Sequence, residues 1–139
     1  MVVEKLKMED IDQVVVLHQS LIPFAISFED APAKYQAMLE DEAYFLAAVK
    51  EGDEILGVAT GTCCKTLSVP FLVIEDVVVK ESARGKGIGH LLMEAMDRFA
   101  LEKACMYSIL VSSGFRHDAH RFYENCGFVD EVRGFRKVY

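Results

Sequence analysis

The spacing of apolar residues changes several times along the chain, and each change marks an element. Val2 to Leu6 has strand composition. Between Asp10 and Leu21, the residues Ile11, Val14, Val15, Leu17, His18 and Leu21 recur at helical spacing, with Glu9 or Asp10 placed to cap the start and Pro23 to end it. Ile22 to Phe28 reads as a loop rich in Phe and Ile, and Ala31 to Leu39 as a short helix with Pro32 in its first turn. Tyr44 to Lys50 and Ile55 to Thr66 read as strands joined by a turn at Glu51-Gly52-Asp53-Glu54. Val69-Pro70 breaks the run. Phe71 to Val79 is the next strand, apolar enough to be buried on both faces. Ile88 to Ala104 forms a long helix whose apolar face is Ile88, Leu91, Leu92, Ala95, Met96 and Phe99. Met106 to Val111 reads as a strand, and Arg116 to Asn125 as a helix that stops at Gly127, a good C′ residue. Phe128 to Arg133 and Phe135 to Tyr139 suit a last hairpin around Gly134. The order predicts an α+β (mixed α/β) fold with antiparallel strands first and a β-α-β unit later.

With 139 residues and no linker or repeat, the chain reads as a single domain, 1–139. Hydrophobic residues make up 52% and charged residues 27%, which excludes a disordered chain. A net charge of -7 argues against a nucleic-acid partner, because basic residues gather only around Arg84 and Lys86 and again from Arg133 to Lys137. No apolar run reaches the roughly 20 residues of a membrane span, and charges interrupt Met1 to Asp12. A cytoplasmic protein without a membrane partner is expected. Cys63, Cys64, Cys105 and Cys126 form no C-x-x-C pair and read as reduced thiols. His117 and His120 have a spacing compatible with metal but no carboxylate-rich partner set, so no metal site is expected.

The chemistry concentrates at Ile74-Glu75-Asp76-Val77-Val78-Val79 followed by Arg84-Gly85-Lys86-Gly87-Ile88-Gly89. A β-branched strand runs into a glycine turn that opens a helix. Free N–H groups and the positive end of the helix dipole there make an anion site, and Arg84 and Lys86 add charge. Two familiar glycine loops do not fit. A P-loop needs Lys and Ser or Thr after its last glycine, where His90 and Leu91 stand. The dinucleotide fingerprint has a different last interval and belongs near a first strand.

The R-x-x-G-x-G pattern ending at Gly89 resembles the GNAT superfamily of N-acetyltransferases. A second motif, Ala119-His120-Arg121-Phe122-Tyr123-Glu124-Asn125-Cys126-Gly127-Phe128, and the order of elements extend the resemblance over most of the chain. It implies a central, mostly antiparallel twisted sheet flanked by helices, with a splayed strand pair forming an acetyl-CoA cleft. It implies acetyl-CoA as co-substrate and a primary amine of a small molecule or peptide as acceptor. Gly85, Lys86, Gly87, Ile88 and Gly89 with Arg84 would hold the pyrophosphate. Val77, Val78 and Val79 would pair with the pantetheine arm along a bulged strand, and the Val77 N–H would donate to the acetyl oxygen. Tyr123 matches the general-acid position that protonates the leaving thiolate.

Glu75 is the candidate base, directly or through a water. Plain strand alternation puts it on the face of Val77 and turns Asp76 to the other face. The alternatives for Glu75 are an ordinary strand carboxylate or an ammonium anchor without base duty. His90 reads as structural and His18 as a weak acceptor contact. Phe24, Ile26 and Phe28 could line an apolar acceptor pocket, with Glu29 and Asp30 near an ammonium group. The strand and second motif are also similar to glucosamine-phosphate N-acetyltransferases, which places an amino sugar among the acceptors. Two positions depart from the family: Arg116 where many relatives carry Asn, and Glu81 where proline is common. A non-catalytic acyl-CoA-binding or regulatory module is the alternative. The terminal strands offer an edge for a possible homodimer.

Overall fold

In the computed structural model, residues 1–20, 27–112 and 117–139 are described. The strands are β1 (Val2–Lys5), β2 (Tyr44–Glu51), β3 (Glu54–Cys64), β4 (Phe71–Val79) and β5 (Ser108–Ile109). The helices are α1 (Ile11–Gln19), α2 (Ala31–Glu40), α3 (Ile88–Glu102) and α4 (His117–Asn125), with short 3-10 turns at Met8–Asp10 and Glu81–Ala83. The five strands form one sheet in the order β1-β2-β3-β4-β5. The first four are antiparallel neighbours, and β5 joins β4 in parallel after the α3 crossover. The mixed fold expected from the sequence is present.

Each face of the sheet carries its own core. Alternate residues Ala47 and Val49 of β2, Ala59 and Cys63 of β3, and Leu72 and Ile74 of β4 pack with Ile88, Leu92, Met96 and Phe99 of α3. The opposite residues Leu46 and Ala48, Ile55 and Val58, and Val78 pack with α1 and Tyr35 of α2. Two glycines let α3 approach the sheet closely. A Cβ on Gly57 would stand 2.8 Å from Ile88 Cγ2, and one on Gly61 would stand 2.7 Å from Met96 Sδ. Ile88, Leu92 and Met96 are thereby fully buried, each worth about 1.5–3 kcal/mol.

Asp10 departs from its expected capping role. It is the N-cap residue of α1, but its side chain makes no cap bond. Its two oxygens each lie 2.8 Å from Lys50 Nζ, and Oδ2 also accepts the Lys7 N–H at 2.8 Å. Glu4 completes the cluster 2.9 Å from Lys50 Nζ. Asp10 and Lys50 are both buried. The cluster ties β1, the start of α1 and β2 together. Desolvation pulls the Lys50 pKa down, but hydrogen bonds and charge from Asp10 and Glu4 outweigh it and leave it raised.

The expected final hairpin does not form. Residues 128–139 have no regular structure, and β5 has two residues where six were expected. Apolar alternation gives a segment the capacity for strand, but a strand needs a paired neighbour. The α4 terminus is as expected: Gly127 has φ +99, its N–H bonds Glu124 O, and the Phe128 N–H bonds Tyr123 O, the two bonds of a Schellman stop. All four cysteines are free, with Cys63 Sγ 3.7 Å from Cys105 Sγ.

Candidate active site

Two strands, β4 and β5, part at one side of the sheet. Among the described residues, only Leu72 and Val73 of β4 pair with β5, through Ser108 and Ile109. Beyond Val73, β4 runs on to Val79 with no strand paired on that side among the described residues. A bulge lies where the strands separate. Val58 pairs with Val78 and Thr60 with Glu75, so Asp76 and Val77 together stand opposite Ala59. Asp76 takes φ +53 to make this possible. Aspartate tolerates the left-handed region better than most residues because its short side chain bonds locally.

The bulge corrects the expected alternation. Glu75 pairs with Thr60, on the face of Val58 and Val78, toward α1 and α2. Val77 and Val79 pack instead on the α3 side. Glu75 and Val77 therefore lie on opposite faces, because the extra residue shifts the two-residue period by one. Asp76 does not point away from the α1–α2 side. Its charge acts on His18 of α1 and Tyr35 of α2 as well as on Glu75. Burial raises the Glu75 carboxyl pKa, and Asp76 raises it further. Burial lowers the His18 pKa, against a smaller upward pull from Asp76. Tyr35 is pushed up by burial and then by Asp76, so its phenol stays protonated. Sequence reasoning missed Tyr35 altogether and placed Asp76 on the strand face opposite Glu75. A bulge made without glycine leaves no sign in the residue pattern.

Where β4 ends, the 3-10 turn at Glu81–Ala83 buries Ala83 and passes through Arg84 to the glycine turn. Gly85 and Gly87 have φ +78 and +80, with no protein atom within 4 Å of a would-be Cβ. Gly87 is the N-cap of α3 and offers no side-chain cap. The Leu91 N–H is the first to bond back, to Gly87 O at 3.1 Å. The N–H groups of Gly85 to Gly89 have no acceptor among the described residues. Uncapped amides at a helix start form an anion cradle. Arg84 and Lys86 are exposed beside it. Gly89 serves a different purpose, since a Cβ there would lie 2.9 Å from the Phe122 ring of α4.

That contact seats α4. Phe122 lies edge-on to His90, and Cys126 Sγ is 3.6 Å from His90 Nδ1, although His90 itself is exposed. Tyr123 is half-buried between Phe122 and Phe128, with ring centroids 5.2 and 6.2 Å away. It lines a hollow of 1140 Å³ between β5 and residues 126–132. His117 and His120 stack edge-on at 5.8 Å. Among the described residues, no group of three His, Cys, Asp or Glu is placed to hold a metal, and no helix is long and apolar enough to cross a membrane. Asp30 is engaged with Ser27, whose hydroxyl donates to it at 2.8 Å. Glu29 and Phe28 are exposed. Phe24, Ile26, Pro23 and Arg116 lie outside the described residues.

The sequence model of the "Acetyltransferase (GNAT) family" matches residues 12–128. A Bacillus subtilis (strain 168) protein named "Uncharacterized N-acetyltransferase YhdJ" is 33% identical over 107 residues, 75% of each chain. Among solved structures, a putative acetyltransferase from Agrobacterium tumefaciens str. C58 superposes with a TM-score of 0.92 at 26% identity, covering 100% of both chains. Glucosamine-6-phosphate N-acetyltransferase from Arabidopsis thaliana has a TM-score of 0.87 at 20% identity, covering 99% of this chain and 97% of its own, a likeness of fold alone.

Proposed function

The chain belongs to the GNAT family of acetyltransferases, and on that premise we propose that it acetylates a primary amine of a small molecule or peptide, with acetyl-CoA as donor, by direct transfer between two bound substrates. The observation that carries this reading is the pairing of an uncapped glycine turn at α3 with a β4 that leaves β5 after Val73. The turn suits a pyrophosphate. Each charge-assisted hydrogen bond from Gly85 to Gly89, Arg84 or Lys86 is worth about 1.5–3 kcal/mol. The freed side of Val77, Val78 and Val79 suits an extended pantetheine arm, as an added strand.

The thioester supplies an activated acetyl group; this chain's residues manage charge and protons. As the amine nitrogen bonds to the acetyl carbon and the C–S bond breaks, negative charge grows first on the acetyl oxygen and then on sulfur. The Val77 N–H, at the bulge, donates to the oxygen, a contact worth about 3–4 kcal/mol. Tyr123 gives its phenolic proton to the sulfur. Glu75 takes the amine proton, directly or through water, and its raised pKa makes it a better base than an ordinary surface carboxylate.

The acceptor side is acidic. Glu75 and Asp76 act there together, and no lysine or arginine charge shifts either Glu75 or His18. This favours a cationic amine without phosphate over an amino-sugar phosphate. The test is calorimetric titration of the full chain with acetyl-CoA, followed by thiol-release assays over diamines, aminoglycosides, amino-sugar phosphates and peptide amines. Acetyl-CoA binding with turnover on a phosphate-free amine is expected. No acetyl-CoA binding by folded protein overturns the assignment. Binding without turnover on any amine returns the chain to the acyl-CoA module reading.

A further inference from the structure

The acetyl-transfer chemistry uses none of the four cysteines, yet two of them meet. Cys63 Sγ on β3 lies 3.7 Å from Cys105 Sγ, 42 residues further along the chain. Backbone structure sets this approach. Cys63 sits in the strand ladder, with its N–H bonded to Ala43 O at 2.7 Å and Leu72 of β4 opposite it. Cys105 is placed by the end of α3. Ala104 takes φ +55, a conformation left mostly to glycine. The Ala104 N–H bonds Leu101 O, and the Cys105 N–H bonds Ala100 O. These are the two bonds of a Schellman stop, with alanine where glycine is usual. The chain then runs directly into β5: the Met106 N–H bonds Pro70 O, and Tyr107 O accepts the Leu72 N–H. Both cysteines are thus held by hydrogen-bonded backbone that keeps their sulfurs together.

A disulfide sets its sulfurs about 2.05 Å apart, so closing the gap moves each by about 0.8 Å. The other two cysteines are engaged elsewhere. Cys64 directs its Sγ to Thr62 O at 3.8 Å, and Cys126 lies beside His90 at the opposite end of α3. Access to the pair is unequal. Cys63 is buried and Cys105 is only partly so, so a reagent in solution meets Cys105 first. Burial pushes the Cys105 thiol up to about 11, helped by its hydrogen bond to Cys63 and by the charges of Cys63 and Cys64. It stays a thiol at neutral pH and reacts slowly there, because the thiolate is the nucleophile.

We propose that Cys63 and Cys105 form a redox modification site, oxidised by a small-molecule disulfide to an intramolecular bridge that staples the start of β5 to β3. The Cys105 thiolate attacks one sulfur of the reagent, forming a mixed disulfide and releasing one thiolate. The Cys63 sulfur, already in contact, attacks Cys105 Sγ and expels the second thiolate. The two protein thiols lose two electrons and two protons, and the reagent leaves as two thiols. The bridge ties β3, the end of α3 and the start of β5 together at the root of the cleft, where β5 still pairs with Leu72 and Val73. It spans 42 residues, so it constrains the unfolded chain as well as the native one.

The test exposes the folded full chain to oxidised glutathione over a range of pH, quenches with acid, caps the remaining thiols with N-ethylmaleimide and maps the peptides by mass spectrometry. A Cys63–Cys105 bridge is expected, removed by dithiothreitol. Its rate of formation should climb about tenfold per pH unit below the Cys105 value. The bridged chain should melt about 10 °C higher, and amide exchange at Leu72 and Met106 should slow. Cys63→Ala is expected to stop at a glutathione adduct on Cys105, and Cys105→Ser to leave Cys63 reduced. The unaltered chain decides the matter even where a variant does not fold. A folded chain that forms no bridge overturns the proposal, as does a bridge between any other pair or between two chains. A Cys63–Cys105 bridge that leaves both Tm and exchange unchanged overturns the staple. None of these readings needs acetyl-CoA, so loss of the acetyl-transfer assignment would leave them standing.

Discussion

Replacing Asp10 with Asn keeps the size of the side chain and removes its charge, which isolates what the buried cluster contributes. Lys50 Nζ loses an ionic partner that meets it through two oxygens at 2.8 Å, with both side chains under 10% exposed. Breaking such a pair costs about 3–5 kcal/mol, because the surviving charge stays buried. Glu4 remains 2.9 Å from the ammonium, but its side chain is 36% exposed, and a water-screened partner returns only about 1 kcal/mol. The Lys7 N–H can still donate to the amide oxygen. The net loss is therefore about 2–4 kcal/mol, or on the order of 10 °C in Tm for a chain of this size. Urea unfolding followed by circular dichroism measures it. The double variant Asp10→Leu/Lys50→Met, which removes both charges, is expected to recover most of the loss. A single-variant loss below about 1 kcal/mol, or a double variant as unstable as the single, refutes the reasoning. The pH dependence has a defined sign. A raised Lys50 pKa is stabilising below the unfolded value near 10.4 and is lost as pH rises through the folded value.

Three further expectations concern the site. Glu75→Gln should lower kcat/KM about 10²–10³-fold with acetyl-CoA affinity unchanged; in the unaltered chain kcat/KM should fall as pH drops through the raised Glu75 pKa, and Asp76→Asn should move that limb to lower pH by removing the like charge. A pH–rate profile with no acidic limb above the ordinary carboxylate range would take Glu75 out of the base role. Tyr123→Phe should slow turnover at least tenfold while leaving acetyl-CoA binding intact, read by steady-state kinetics beside calorimetry. Gly87→Ala meets no steric obstacle but forces φ +80 on an L-residue, about 1–2 kcal/mol, and should weaken acetyl-CoA binding about tenfold. Gly89→Ala instead presses on the Phe122 ring at 2.9 Å, and its effect should shrink when Phe122 is also changed to Leu.

Legibility from sequence followed the kind of physics each feature obeys. The ends of β4, Phe71 and Val79, were readable because Pro70 breaks the chain before it and the turn toward Gly85 follows. The α3 start and the Gly127 stop were readable because glycine there meets a backbone need. The bulge was hidden because Asp76 takes the left-handed conformation in a run without glycine, and that one shift moved Glu75 and Asp76 relative to Val77. Asp10 has the composition of a cap, but its side chain went to a lysine 40 residues away, a contact no local pattern encodes. The final hairpin failed for a related reason: its pattern and its turn are local, but a two-stranded ribbon is marginal without a sheet to pack on, and that support is not local. Loop residues 21–26, expected from sequence to border the acceptor, and Arg116, where many relatives carry Asn, lie outside the described residues.

The two glycines of β3 make α3 rest on backbone rather than on side chains. Gly57 sits beneath Ile88, the first residue of the helix, and a Cβ on it would also come within 3.2 Å of Val78 O. One bare position therefore gauges the spacing between the amides suited to a diphosphate and the strand suited to the thioester arm. A ligand reaching both points meets a fixed ruler, and a single added methyl group at residue 57 would lengthen it from beneath the helix.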